Sequence, residues 1–153
     1  MQYKTDLDKL RHSCSHVMAQ AVKELWPDVK VTIGPAIENG FYYDFDKTDP
    51  FTDQDLKKIE KRMRQIIERK PVFRQSFMPR AEAIKLFEKQ GESYKVELIE
   101  GILEENVSIY ETGDKFLDLC KGPHVDNAGQ IKAFKLLAVA GAYWRGDEHK
   151  ARL

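Results

Sequence analysis

Segments with helical spacing of apolar residues alternate with short strand-like segments along this 153-residue chain. Residues 6–26 place apolar side chains on one helical face until Pro27 ends the pattern, since proline disfavours helix in the residue before it. Residues 29–38 and 41–45 instead predict two strands joined at Asn39-Gly40, a dipeptide typical of tight hairpin turns. This alternation predicts an α+β fold, a single domain with a mixed or antiparallel sheet and packed helices.

Proline and glycine residues mark the ends of the later predicted elements. A long helix is predicted over 52–70, because Thr52 followed by Asp55 resembles an N-cap with an acidic first turn. The other predicted elements are a strand over 72–78, helices over 81–90 and 93–102, a strand pair over 107–112 and 116–120, a loop over 121–130 and a last strand over 134–144. Residues 144–153 resemble the start of a charged helix without a stop signal, which predicts that the chain is part of a longer protein.

Charge and cysteine content exclude several classes of protein. Lys+Arg and Asp+Glu both number 25, so the chain has no net charge and any nucleic-acid partner must be held by a local basic patch or another domain. Cys14 and Cys120 are the two cysteines, and the N-terminus lacks the apolar core of a signal peptide. Both features favour a reducing, cytoplasmic setting. The absence of a run of about 18 apolar residues argues against a membrane span.

A first candidate site is the HxxxH pattern of His12 and His16. Residues four apart lie one turn apart on the same helical face, and these two lie nearly opposite the apolar stripe of the helix. Two imidazoles projecting together suit a metal pair or a catalytic pair lining a cleft. The alternative is a pair of solvated surface histidines.

A second candidate site is the CxxxH pattern of Cys120 and His124. Gly122-Pro123 between them favours a fixed loop. Together with HxxxH on a helix facing this loop, the pattern supplies the ligand types of a four-coordinate zinc site. Cys120 alone could equally be a buried structural cysteine.

Strand alternation adds Asp118 to this second pattern. If Leu117 and Leu119 face the core, Asp118 and Cys120 project together from the opposite face. The alternative for Asp118 is an exposed strand carboxylate.

Basic residues are concentrated in the predicted helix over 52–70. This run could contact phosphates, but charged residues usually form the solvated side of an amphipathic helix, and we favour that interpretation. Its members are Lys57, Lys58, Lys61, Arg62, Arg64, Arg69 and Lys70.

Five motifs in this order and spacing resemble the editing domain of threonyl-tRNA synthetase. They are HSCSH at 12–16, IGPAIENGFYYDF at 33–45, GESYKVELI at 91–99, DLCKGPHV at 118–125 and AGAYWRGDE at 140–148. The editing domain of alanyl-tRNA synthetase shares the His/His and Cys/His pairs but typically lacks the Gly-Pro before the last histidine. The resemblance covers nearly the whole chain.

The resemblance implies a function and a domain organisation. The expected activity is hydrolysis of serine wrongly attached to threonine tRNA, with residues 1–140 as the editing domain and 141–153 as the start of a linker to an absent synthetase core. The expected partners are the seryl-adenosine acceptor end of that tRNA and the remaining domains of the parent synthetase, with no membrane involved. Aminoacylation and ATP use are not expected in this fragment.

The resemblance also implies the roles of individual residues. The catalytic positions are His12, His16, Lys95, Asp118, Cys120 and His124, and the substrate-binding positions are Gly34, Tyr43 and Gly122. Lys95 is expected to assist the leaving oxygen or its water, and Asp118 and His124 to orient water and the substrate amino group. Tyr43 is expected to bound the pocket where the methyl group of threonine would clash. An ordinary helix-surface lysine is the alternative for Lys95.

The sequence leaves open a bound metal and two rival functions. The ligand set permits zinc at His12, His16, Cys120 and His124, as alanyl-type relatives use it, but the threonyl-type resemblance implies that no metal is required. One rival is a zinc-stabilised module that only binds the tRNA acceptor end. The other is a free-standing editing protein for alanine tRNA.

Overall fold

The first helix lies at the centre of the domain. A computed structural model describes residues 5–32, 36–37 and 40–139. Helix α1 spans Asp6–Leu25 and begins where the Thr5 hydroxyl accepts a hydrogen bond from the Asp8 N–H at 3.1 Å, a side-chain N-cap. It ends before Pro27, as predicted. Residues 12–22 are all buried, so other elements cover α1 on its histidine side as well as on its apolar side.

Two short antiparallel ribbons follow α1. Strand β1 (Lys30–Val31) pairs with β4 (Phe45–Asp46), and β2 (Ala36–Ile37) pairs with β3 (Gly40–Phe41). The pairings confirm the predicted hairpin, but Gly40 lies in β3 opposite Ile37, so its predicted place in the turn is wrong. Residues 38–39 lie outside the described ranges.

The main sheet has three antiparallel strands in the order β5-β6-β7. They span Phe73–Pro79, Asn106–Thr112 and Phe116–Leu119. Gly113, which begins the predicted turn between β6 and β7, has a φ of 60°, a conformation that glycine adopts without steric cost. The predicted α+β class is confirmed, and every strand pair among the described residues is antiparallel.

Helices α3 (Arg80–Lys89) and α4 (Ser93–Glu100) pack on one face of this sheet. Helix α2 spans Asp53–Glu68, begins with the capping box of Thr52 and Asp55, and packs mainly against α1. None of the helices in the described ranges is both long enough and apolar enough to cross a membrane.

Two hydrophobic cores result from this packing. The smaller core joins α3, α4 and β6 through Ala83, Phe87, Ile99, Val107 and Ile109, with Leu117 and Leu119 packed against it. The predicted alternation is therefore confirmed, and Asp118 and Cys120 face away from this core. The larger core includes α1, α2 and the ribbon strands.

The predicted strand over 134–144 is wrong for its described part, since residues 131–139 form no strand. Phe134 and Leu136 pack against the larger core, and the Leu136 N–H donates to the buried Glu60 carboxylate at 2.8 Å. A side chain of α2 thus takes the place of a neighbouring strand. Residues 140–153, with the predicted charged helix, lie outside the described ranges.

Candidate active site

The two predicted patterns meet between α1 and the loop after β7. His12 and His16 project from α1, and Cys120 and His124 bracket the loop. One ligand atom from each of the four residues lies within 4.8 Å of the others. His12 is 5% and His16 2% exposed, so the alternative of solvated surface histidines is wrong. The prediction of HxxxH on a helix facing a CxxxH loop is confirmed.

Hydrogen bonding fixes the orientation of His12. Its Nδ1 lies 3.0 Å from the Pro123 carbonyl oxygen. Because a carbonyl can only accept, Nδ1 is the donor, and in the neutral ring Nε2 carries the lone pair. Nε2 lies 3.4 Å from the Cys120 Sγ and can accept its thiol proton.

Ser13, which the sequence did not single out, holds His124 from the other side. The Val125 N–H donates to the Ser13 Oγ at 3.0 Å, and this oxygen lies 3.0 Å from the His124 Nδ1. When the Ser13 hydroxyl donates to Nδ1, the Nε2–H of His124 points at the Cys120 Sγ, 3.4 Å away. The resulting chain of hydrogen bonds runs from Val125 through the cluster to the Pro123 carbonyl.

Burial keeps the cluster uncharged. Burial lowers the pKa of His12, lowers that of His16 well below its usual value, and strongly lowers that of His124. Burial also raises the pKa of Cys120 to about 12. At neutral pH the three imidazoles are therefore neutral and Cys120 is a thiol.

A buried ion pair lies beside the cluster. The Lys95 Nζ lies 2.6 Å from the Asp118 Oδ1, and the Tyr43 hydroxyl donates to the Asp118 Oδ2 at 2.6 Å. Lys95 also donates to the Tyr43 hydroxyl at 3.1 Å and to the Thr32 carbonyl. Lys95 and Asp118 are each 2% exposed, so the alternatives of a surface lysine and an exposed strand carboxylate are both wrong.

His16 connects the ion pair to the cluster. Its Nε2 lies 3.8 Å from the Asp118 Oδ2, which is too long for a hydrogen bond, and its lowered pKa excludes an ion pair at neutral pH. Its Nδ1 is buried and has no hydrogen-bond partner among the described residues. Because a buried polar atom without a partner is costly, this nitrogen is a candidate to contact a ligand.

Aromatic rings hold His124 in place. The Phe73 ring stacks on it with centroids 4.8 Å apart, and the Tyr110 ring meets it at 4.4 Å. Gly122 has a φ of 77°, and a Cβ there would lie 2.6 Å from the Tyr110 hydroxyl, so the loop can pass over Tyr110 only with glycine. The predicted substrate-binding residue Gly34 lies outside the described ranges.

The remaining predicted features lie away from the cluster. Cys14 is 4% exposed in the larger core, and burial raises its pKa to about 12. Of the basic run on α2, all members except the half-buried Arg62 are exposed, as expected for a solvated helix face. A cavity of about 1030 Å³ borders Cys14 and Tyr43 but none of the four cluster residues.

The donor set fits a metal ion. Three imidazoles and one cysteine are the ligand types of zinc, and their ligand atoms already lie close together. The Pro123 carbonyl holds the His12 ring through its other nitrogen, as is common for histidine ligands, and the orphaned Nδ1 of His16 offers an unused donor atom.

Comparisons with known proteins find relatives among the tRNA synthetases. Residues 107–153 match the model of the threonyl and alanyl tRNA synthetase second additional domain. The chain is 55% identical over 147 residues to a threonine–tRNA ligase of Nitratidesulfovibrio vulgaris, and 58% identical over 147 residues to that of Oleidesulfovibrio alaskensis. Each alignment covers 96% of this chain but 23% of the relative, so the chain spans about a quarter of these proteins. By these matches, residues 107–153 carry the second additional domain of threonyl and alanyl tRNA synthetases, and the chain is homologous to part of the threonine–tRNA ligases.

Proposed function

We propose that this domain proofreads threonine tRNA by hydrolysing serine that has been attached to it by mistake. The observation that carries the proposal is the buried Lys95–Asp118 ion pair beside three neutral imidazoles, assembled from α1, α4, β7 and the loop after β7. Burying a lysine and an aspartate carries a desolvation penalty that the attraction between their charges can fail to offset. Perturbed groups gathered in this way are typical of catalytic sites.

The reaction is attack of water on the ester carbonyl that joins serine to the terminal ribose. A bond forms between the water oxygen and the carbonyl carbon, and the bond to the ribose oxygen breaks. His124 would orient the water and Asp118 would bind the substrate ammonium, while the proton that the water loses goes to the leaving ribose oxygen. The products are free serine and a tRNA with a free ribose hydroxyl.

Lys95 would support the leaving ribose oxygen. Its ammonium pairs with Asp118 and donates hydrogen bonds to the Thr32 carbonyl and the Tyr43 hydroxyl, and the contact with Tyr43 is the longest of the three, at 3.1 Å. If the ribose oxygen of the substrate replaced Tyr43 as a partner of Lys95, the ammonium would donate a hydrogen bond to it. Asp118 and the Thr32 carbonyl would still hold the ammonium in position.

Selectivity would come from the size of the pocket. A site built to bind threonine can discriminate against serine, which lacks one methyl group, by only about 1–3 kcal/mol of binding free energy, or roughly 10–200-fold. A second, hydrolytic site that admits serine and excludes the extra methyl reverses the selection. Tyr43, buried and held by Asp118, would form the wall that the methyl group meets.

Metal binding is the second candidate property, and the compact His/Cys set favours it. His12, His16, Cys120 and His124 would hold zinc, which when bound would polarise an ester carbonyl or lower the pKa of a water. We propose that hydrolysis does not require it, because Lys95 already supplies a proton donor and the neutral imidazoles can orient a water. A zinc-stabilised module that binds tRNA without hydrolysis remains the rival.

Domain context belongs to the same proposal. Residues 1–140 would be the hydrolytic domain and 141–153 the start of a linker to a synthetase core, consistent with the small share of each relative that the chain covers. The tRNA acceptor end and the rest of the parent synthetase would be its partners, in the cytoplasm.

The test is deacylation of seryl-tRNA and threonyl-tRNA, both made on threonine tRNA, by the chain and its Lys95→Ala and His124→Ala variants. We expect loss of serine only, and a fall of about 10²–10⁴-fold in either variant. Equal cleavage of both esters, or a folded His124→Ala variant with full activity, would refute the proposal. Preferred cleavage of seryl esters on alanine tRNA would favour the alanyl-type rival.

A further inference from the structure

Among the residues that the structure describes, the face of the main sheet that carries Asp118 is covered at one end only. Directly opposed residues of antiparallel strands share a face, so the pairs Phe77↔Ser108 and Gln75↔Tyr110 lie on the same face as Asp118, which pairs with Tyr110. Near the other end of β6, the same face is buried by the larger core, to which Phe73 belongs. Towards the start of β6 the side chains are increasingly exposed.

The open part of this face forms a shelf made of Gln75, Phe77, Ser108 and Tyr110. Phe77 is 67% exposed, and Gln75 is exposed and donates from its Nε2 to the Ser108 Oγ at 2.9 Å. Tyr110 forms the inner end of the shelf and contacts the His124 ring. Since residues advance by about 3.4 Å along a strand, Ser108 lies about 7 Å from Tyr110. The shelf therefore continues directly from the candidate active site.

The chemistry of the shelf suits a nucleobase. It offers an exposed aromatic ring for stacking, with an amide and a hydroxyl beside it that can bond base edges or sugar. Aromatic side chains on open sheet faces bind unstacked bases of single-stranded RNA in this way. The four shelf side chains include no carboxylate that would repel a phosphate, and Lys121, next to Cys120, is exposed.

A protein partner fits this surface less well. Phe77 shares its sheet face with the polar Gln75 and Ser108, whereas a stable protein interface has a broad apolar centre. The open edge of β5 also carries Arg74 near one end and Pro79 at the other, residue types that discourage pairing with a further strand.

We propose that Phe77 stacks the base of the nucleotide that precedes the terminal adenosine, while the adenosine ester reaches the cluster beyond Tyr110. The proposal rests on the proposed function, because it assumes that the ligand is a single-stranded acceptor end. It adds a binding subsite that holds the RNA chain without touching the reacting bond.

The test separates the shelf from the chemistry by measuring binding without an ester. A 5′-labelled ribotrinucleotide, cytidylyl-cytidylyl-adenosine, is titrated against the chain by fluorescence anisotropy. The variants are Phe77→Ala, Phe77→Trp and, as a matched control, Leu103→Ala, which removes a side chain that is 92% exposed in the loop after α4. We expect Phe77→Ala to raise the Kd about 5-fold to 150-fold, the range for one lost base stack, with Phe77→Trp and Leu103→Ala close to wild type.

Each possible result either supports or overturns the proposed base-binding shelf. An unchanged Kd in Phe77→Ala, or no binding by the wild-type chain at millimolar trinucleotide, would overturn the shelf. So would a wild-type dimer that Phe77→Ala converts to a monomer without changing RNA binding, since the face would then bind a second copy. Binding that depends on Phe77 in a chain that cleaves no seryl ester would support the shelf and refute the proposed hydrolysis.

Discussion

Two buried ion pairs hold helix α4, and they differ in what surrounds them. Glu92, the residue before the helix, pairs with Lys23 at 2.7 Å and accepts the Val31 N–H at 3.0 Å. Lys95, one turn on, pairs with Asp118 at 2.6 Å. Both carboxylates are almost fully buried, so desolvation penalises both pairs.

The surroundings separate a structural pair from a candidate catalytic one. Lys23 is 25% exposed and also donates to the Pro27 and Val29 carbonyls, so the first pair ties the end of α1 to β1 and is well satisfied. The second pair is closed to solvent and lies beside the orphaned Nδ1 of His16. Burial of charge alone therefore does not mark a site; burial next to unsatisfied, titratable groups does.

Breaking the second pair should have the largest effect on stability. Asp118→Ala leaves the Lys95 ammonium buried without its carboxylate, which we expect to lower the free energy of unfolding by about 3–5 kcal/mol. Denaturant titration followed by circular dichroism measures it. The double variant Asp118→Leu/Lys95→Met removes both charges and should recover part of the loss; a double variant that is worse than the sum of its singles would contradict the pairing.

Ser13→Ala should have a smaller effect on stability but a selective one on activity. It leaves the buried Val125 N–H without an acceptor, at a cost of about 1–3 kcal/mol, and releases the His124 Nδ1. We expect slower ester hydrolysis and a changed tautomer of His124, read from its imidazole ¹⁵N shifts. Ser15→Ala is the control, because the Ser15 hydroxyl donates to the His12 carbonyl within α1. An unchanged His124 spectrum in Ser13→Ala would contradict this role.

Weakening the first pair should affect stability alone. Glu92→Gln keeps an acceptor for the Val31 N–H but removes the charge facing Lys23, which we expect to cost about 1–2 kcal/mol. The Kd for the trinucleotide and the rate of ester hydrolysis should stay at wild-type levels. A loss of hydrolysis in a folded Glu92→Gln protein would contradict the claim that the first pair is purely structural.

Metal removal should have the smallest effect. The proposed chemistry uses Lys95 and neutral imidazoles, so we expect hydrolysis to survive exhaustive treatment with a chelator. The metal content of the treated protein is measured in parallel. Complete loss of activity that added zinc restores would show instead that the His/Cys set works as a metal centre.

The sequence predicts those parts of the fold that depend on local signals. The end of α1 follows from Pro27 and the start of α2 from Thr52, whose effects act within a few residues. The prediction of a strand over 134–139 fails because the residue pattern is typical of a strand, whereas the backbone there donates to the carboxylate of Glu60, which is far away in sequence. No periodicity predicts that a glutamate within a basic run is buried.

The candidate site likewise has some residues that the sequence predicts and others that it does not. The spacing of His12 with His16, and of Cys120 with His124, can be read directly, and alternation places Asp118. The burial of Lys95 depends on packing between α4 and β7, which are distant in sequence, and only the family resemblance singles it out. Ser13 lies inside the HSCSH motif, yet its contact with His124 joins residues 111 positions apart.

The most direct test of the account is single-turnover hydrolysis of a 3′-seryl ester of adenosine by the wild-type chain, Lys95→Ala and Glu92→Gln, each checked for folding by circular dichroism. This small substrate removes any need for the rest of a synthetase to deliver tRNA. We predict hydrolysis by the wild-type chain, a fall of about 10²-fold or more in Lys95→Ala, and wild-type rates in Glu92→Gln. A folded wild-type chain that leaves the ester intact, or equal rates in all three proteins, would contradict the claim that this cluster and its ion pair form a hydrolytic site.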